Sequence, residues 1–154
     1  FLFIEKQDEL KIDKDKIQEY QLSLVEILQA KRGETIQREN ETILAEQVTL
    51  PLEEPCSYAY CTDTRPIAKL PAWIKGARLL YHEATFTQKH NDRAKATGHS
   101  TAADAATIAK EAQVARLLLG HFSTRYKSTD EFKIEAQPIF ENVTCVEDGD
   151  VFYV

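Results

Sequence analysis

The chain has 154 residues, 43% hydrophobic and 29% charged, which suits one globular domain able to bury a core. Its net charge of −6 sits in the first third: residues 1–54 hold 7 Lys/Arg against 13 Asp/Glu, and residues 55–154 hold 12 of each. This balance gives no support to RNA binding through charge alone, because phosphate neutralisation dominates nucleic-acid affinity. No stretch approaches the roughly 18 apolar residues of a membrane span, and the N-terminus lacks the basic-then-apolar order of a signal peptide. The expectation is a cytoplasmic protein with no membrane partner. Cys56, Cys61 and Cys145 form an odd set without CxxC spacing, so they read as buried free thiols rather than a disulfide framework or zinc knuckle. Methionine is absent and Phe1 stands in an apolar FLFI run, so the chain reads as a segment of a longer protein.

Residues 1–5 predict a buried strand. Ile17, Tyr20, Leu24, Ile27 and Leu28 recur at a helical period across residues 13–30, and Gly33 stops that helix. Residues 35–48, mixed polar with scattered β-branched side chains, suggest a small hairpin. Pro51 and Pro55 mark a junction. Beyond it, apolar runs at 56–61, 77–81 and 114–119 alternate with helical patterns, the signature of parallel strands in an α/β sheet. Between the runs lie a short amphipathic helix at 67–75, with Trp73 in the core and Gly76 closing it, and a polar loop at 87–98 with His90 as an exposed bystander. Ala102–Ala112 is an alanine-rich helix opened by a capping-box pattern, Thr101-x-x-Asp104. After Thr129 a helix is expected to about Phe140, weakened by Pro138, and residues 143–146 and 151–154 flank Asp148-Gly149 as a hairpin.

In a parallel sheet, polar residues at the strand C-termini collect along one edge, where ligands bind. That edge would carry Asp63, His82, Glu83 and His121. Carboxylate oxygen and neutral imidazole are both ordinary metal donors. His99 precedes a helix N-terminus, where backbone N–H groups favour an anion such as a scissile phosphate. Arg125 offers a planar fork suited to phosphate. Each also has an ordinary reading: Asp63 as a turn former, His99 as a loop histidine, Arg125 in a surface ion pair, and Lys31 and Arg32 on a solvated face.

Four motifs, TDTRP at 62–66, HEATF at 82–86, GHST at 98–101 and HFSTRY at 121–126, resemble ribonuclease Z, the tRNA 3′-end endonuclease of the metallo-β-lactamase superfamily. They stand in the family's order and at about its spacing, over nearly the whole chain, thinning before residue 55. The resemblance implies an α/β fold: the C-terminal half of a metallo-β-lactamase-type αββα sandwich with an N-terminal arm insertion. The implied segments are a strand at 1–10, an exosite-like arm at 11–50 and the βα half at 51–154. It implies two zinc ions per complete active site, with Asp63 as the bridging ligand and His121 as the last ligand. Further roles implied are His99 as proton donor or oxyanion stabiliser, Glu83 orienting it, and Arg125 near the substrate phosphate. The family's HxHxDH motif is absent, and the only histidines stand at 82, 90, 99 and 121. The chain alone is therefore expected to be inactive and to bind zinc weakly. The implied partners are precursor tRNA, an N-terminal half of the same protein, and a second copy in a homodimer. Lys31 and Arg32 would grip tRNA from the arm, although Leu24-Val25-Glu26 stands where the family carries Gly-Pro-Leu. The alternatives are another hydrolase of this fold, such as a phosphodiesterase or arylsulfatase-like enzyme, and a non-catalytic assembly module.

Overall fold

The structure, a computed structural model, describes residues 1–6, 9–51 and 54–154. Strand β1 (Leu2–Ile4) comes first, followed by a small unit, Glu5–Pro55, made of α1 (Lys14–Glu19), α2 (Leu24–Lys31), β2 (Ile36–Gln37), β3 (Thr42–Ile43) and α3 (Ala45–Val48). The larger unit, Phe1–Ile4 with Cys56–Val154, continues through β4 (Ser57–Cys61), α4 (Leu70–Trp73), β5 (Leu79–Glu83), α5 (Asn91–Thr97), α6 (Ala102–Ala112), β6 (Arg116–Gly120), α7 (Asp130–Ala136) and β7 (Val143–Cys145).

In the small unit the expected single helix is two. Each has its own start signal: Asp13 accepts from the Asp15 N–H, and Ser23 and Glu26 form a reciprocal capping box. Between them Gln21 takes φ 48°. The break re-aims the apolar residues. Leu22, Ala30, Ile36, Ile43 and Val48 make the core, while Leu24 and Leu28 face solvent. Gly33, at φ 77°, ends α2 as expected, and β2 and β3 form the hairpin.

The larger unit is a five-stranded sheet in the order β1-β4-β5-β6-β7, with β1 antiparallel and the rest parallel. Alternation sorts its side chains. Ala59, Cys61, Leu80, Leu117 and Leu119 face the helices, where Ala102, Ala105, Ala106, Ala109 and Ala112 of α6 are fully buried. Helix residues without bulk let α6 lie close on the strands. The opposite face carries an aromatic ladder, Phe1–Phe3–Tyr58–Tyr60–Tyr81, with ring centroids 4.8–6.5 Å apart. Gly120 has no side chain because Tyr81 lies over it: a Cβ there would sit 2.5 Å from the phenolic oxygen. The mainly parallel sheet with helices packed on one face agrees with the expected α/β architecture.

Several expectations are corrected. β1 is a strand but lies exposed at the sheet edge, with Phe1 86% accessible. Trp73 is 60% exposed rather than core, because α4 is a single turn whose inward positions are taken by Leu70 and Ile74. The polar loop at 87–98 is instead a 3₁₀ turn, Gln88–His90, and α5, ended by Gly98 at φ 76°. No hairpin forms after Asn142: β7 pairs in parallel with β6, and residues 147–150 close a turn on themselves. Only Cys61 is buried; Cys56 and Cys145 are partly exposed. No helix among the described residues is long and apolar enough to cross a membrane.

Candidate active site

Three adjacent parallel strands end in tight turns on one edge. After β4, Asp63 takes φ 49°; after β6, His121 takes φ 59°. Both are left-handed non-glycine residues, a conformation that costs energy and persists only where surrounding contacts impose it. The turns are tied across the sheet: Ala84 N–H donates to the Gly120 carbonyl at 2.8 Å, and Ser123 N–H to the Thr85 carbonyl at 3.1 Å.

The Glu83 carboxylate lies beneath this edge, fully buried. Its Oε1 accepts the Thr64 N–H at 2.6 Å and faces His99 Nδ1 at 2.8 Å. Its Oε2 accepts the Thr85 hydroxyl at 2.7 Å, the Ser100 N–H at 3.2 Å and the Thr85 N–H at 3.4 Å. Burial pushes the carboxyl pKa up, but the hydrogen bonds from Thr85, His99, Ser100 and Thr64 outweigh it and hold the group below the usual carboxylate value. Glu83 is thus an ionised anion held by aimed donors. It faces His99, as an orienting group must. That it also joins three separate motifs is announced by nothing local in the sequence.

A carboxylate only accepts, so His99 must carry its proton on Nδ1, leaving Nε2 as the free ring nitrogen. His121 Nδ1 stands 2.9 Å from the Thr85 hydroxyl, and its Nε2 lies 3.5 Å from Asp63 Oδ1. The imidazoles of His99 and His121 are 5.5 Å apart between ring centroids. Asp63, His99 and His121 each offer one ligand atom, all within 4.8 Å of one another. One carboxylate and two imidazoles at that separation make a suitable donor set for a divalent transition-metal ion. Asp63 and His121 are well exposed, His99 only partly, so the set opens to solvent.

The remaining expected residues are placed as follows. His82 is not on the edge. β5 runs further than its apolar residues suggest, and His82, between Cys61 and Leu119 of its neighbours, is fully buried. It donates Nδ1–H to the Glu83 carbonyl at 2.7 Å, its Nε2 is unpartnered among the described residues, and burial lowers its pKa. The α6 N-terminus is not free for a phosphate: Thr101 and Asp104 cap each other there, and Ala103 N–H donates to Glu135 Oε1 at 2.9 Å. Arg125 is exposed; its Nε donates to Ser123 Oγ at 3.1 Å and its guanidinium lies 5.2 Å from the Phe86 ring centroid. His90 is no bystander, since its Nδ1 meets the Tyr126 hydroxyl at 2.8 Å, and that hydroxyl accepts the Thr87 N–H at 3.0 Å. This latch fastens the HFSTRY segment to residues 87–90, just after HEATF. In the small unit, Lys31 is ion-paired with Glu9 at 2.6 Å, and Arg32 caps α2 and is exposed.

Comparison with known proteins fits this site. A protein named ribonuclease Z from Cytophaga hutchinsonii is 44% identical over 156 residues, covering 100% of this chain and 50% of its own. A ribonuclease Z from Parabacteroides distasonis is 41% identical, covering 97% of this chain and 49% of its own. The match falls on the C-terminal half of these proteins, and the chain spans about half the length of the curated relatives it matches. No family model matches. Among solved structures, human tRNase Z, short form, superposes with a TM-score of 0.52 at 29% identity over 73% of this chain and 36% of that one. The metallo-β-lactamase fold protein YhfI from Bacillus subtilis gives 0.59 at 26% identity over 63% of this chain and 39% of that one.

Proposed function

We propose that this chain is the C-terminal half of a ribonuclease Z, and that with its N-terminal counterpart it removes 3′ trailers from precursor tRNA. The observation that carries this is the meeting of TDTRP, HEATF and GHST at one buried carboxylate, with HFSTRY joined to it through Thr85, in a chain 38–44% identical to proteins of that name. In this reading Asp63 and His121 hold zinc, two ions per complete site, together with ligands from the other half. The chemistry that bound zinc supplies is a water acidic enough to ionise near neutral pH and an electrophile for the phosphate.

The chain's own residues do the rest. Glu83 holds the Nδ1–H of His99, which leaves Nε2 as the atom that takes up a proton from water and passes it to the leaving 3′ oxygen. Asp63 and His121 lie on the open side of the edge, where a phosphodiester can reach them. Arg125, which stacks on Phe86 beside His99, pairs with a non-bridging phosphate oxygen. Lys31 and Arg32 contribute to tRNA binding from the small unit, whose charge is otherwise unfavourable for RNA. The tyrosine ladder on the open sheet face receives the N-terminal half, and the assembled protein is a homodimer.

The test is co-expression with the N-terminal half of a ribonuclease Z relative. Trailer removal from precursor tRNA by the reconstituted protein, and none by either half, is the expected result. Cleavage of a small phosphodiester without tRNA cleavage would instead favour the general phosphodiesterase.

A further inference from the structure

We propose that Thr85 is a positioning residue: its hydroxyl selects which ring nitrogen of His121 faces Asp63. The argument is one of proton counting. A hydroxyl carries one proton, and Thr85 Oγ1 lies 2.7 Å from Glu83 Oε2 and 2.9 Å from His121 Nδ1. Glu83 Oε2 already accepts the Ser100 N–H, and Oε1 accepts the Thr64 N–H, so this carboxylate is an acceptor throughout. If the Thr85 proton pointed at His121, two oxygen lone pairs would oppose each other at 2.7 Å in a fully buried place. The proton therefore goes to Glu83, and Thr85 can only accept, from His121 Nδ1 at 2.9 Å and, at 3.2 Å, from His99 Nδ1, whose shorter contact is with Glu83 Oε1. His121 must carry Nδ1–H, which leaves Nε2 as a lone pair directed at Asp63, 3.5 Å away.

That outcome runs against the imidazole's own preference. An unrestrained neutral histidine favours the proton on Nε2, and the Asp63 carboxylate would reinforce that choice by accepting it. The Thr85 contact prevails because it is shorter, 2.9 Å against 3.5 Å, and part-buried, whereas Asp63 is 65% exposed and its pull is screened by solvent. A lone pair and a carboxylate oxygen facing one another at 3.5 Å are the arrangement a cation resolves, and a metal-bound histidine is ordinarily held through its other nitrogen in this way. Threonine suits the task better than serine, since branching at Cβ restricts χ1 and keeps the hydroxyl aimed at both partners. Glu83 thereby sets two imidazoles at once, His99 directly and His121 through one hydroxyl.

The inference rests on reading Asp63 and His121 as metal ligands, but its primary test needs no metal. The ¹⁵N imidazole spectrum of His121 is recorded in the metal-free chain at about pH 8, for the wild type, Thr85→Val and Thr85→Ser. The expected result is Nδ1–H in the wild type and in Thr85→Ser, and a shift towards Nε2–H in Thr85→Val. Calorimetric titration with Co²⁺ should then show binding about 10- to 100-fold weaker in Thr85→Val, restored by Thr85→Ser. Nε2–H in the wild type overturns the proposal without reference to any variant, so a Thr85→Val chain that fails to fold does not shelter it. An unchanged tautomer in folded Thr85→Val overturns it equally. Absence of Co²⁺ binding by a wild type that shows Nδ1–H would refute the metal-site reading and leave the tautomer assignment standing.

Discussion

Replacing Glu83 by glutamine changes one oxygen to an amide and should be costly out of proportion to its size. The carboxylate receives Thr64 N–H and His99 Nδ1–H on Oε1, and Thr85 Oγ1–H, Thr85 N–H and Ser100 N–H on Oε2. An NH₂ group at Oε1 would face the Thr64 N–H, which cannot turn away, while His99 could accept by moving its proton to Nε2. At Oε2 it would face the Ser100 N–H and the longer Thr85 N–H, while the Thr85 hydroxyl could rotate to accept. Either placement orphans at least one backbone N–H, at about 1–3 kcal/mol. Loss of charge-assisted bonds to the remaining donors adds about 1–2 kcal/mol, for a total on the order of 2–5 kcal/mol. Urea denaturation of the 154-residue chain, followed by circular dichroism, measures this directly. The pH dependence supplies an independent check. Because the folded pKa of Glu83 lies below 4.5, its contribution is present above that pH and is lost as the pH falls through the folded value. Glu83→Gln should lack that component and converge on the wild type in acid. A loss under about 0.5 kcal/mol at neutral pH would refute the reasoning, since that is the range of surface substitutions.

His82, kept neutral by burial, should contribute stability that is present above pH 6.5 and lost as the pH falls through its lowered folded value; His82→Asn, which can still donate to the Glu83 carbonyl, should remove that slope in a denaturation series. Asp63→Ala and His121→Ala should each lower metal content of the reconstituted protein by elemental analysis, whereas His99→Ala should retain metal and slow single-turnover cleavage; a metal-free His99→Ala protein would make His99 a ligand. Lys31→Ala with Arg32→Ala should flatten the salt dependence of precursor-tRNA affinity by roughly one unit of slope for each phosphate no longer neutralised, and equal slopes would leave the small unit without a role in RNA binding.

What the sequence makes legible is local. α6 is readable with its bounds and its capping box because alanine content and the Thr101–Asp104 pair are both short-range signals. The parallel strands are legible because their apolar runs are contiguous, but their ends are not. A neutral imidazole can enter a sheet, so β5 continues through His82 into Glu83 instead of stopping before them. Residues 56–61 read as one apolar run, although the alternation already separates Tyr58 and Tyr60 from Ala59 and Cys61; the two faces of the strand meet different surroundings. The break at Gln21 carries no glycine or proline to mark it. Glu135 at the α6 N-terminus comes from another helix, 32 residues away from Ala103, and no reading of nearby residues could find it.

The site is legible in a different way, and the structure explains why its motifs occur together. Thr64 belongs to TDTRP, Thr85 to HEATF, and His99 and Ser100 to GHST, and all bond to one carboxylate. His121 of HFSTRY joins through Thr85. An anion buried without a cationic partner depends on several donors at once, so loss of any one weakens the case for keeping the charge. Changes at these positions should therefore not add independently: once Glu83 has lost its charge, removing the Thr85 hydroxyl or the His99 ring costs less than it does in the wild type. The same coupling explains the strained turns. Asp63 and His121 hold left-handed backbone because the residues beside them, Thr64 and Gly120, are fastened into the network by Glu83 Oε1 and the Ala84 N–H. The geometry at the exposed edge is thus set from below, by a group that touches neither solvent nor substrate.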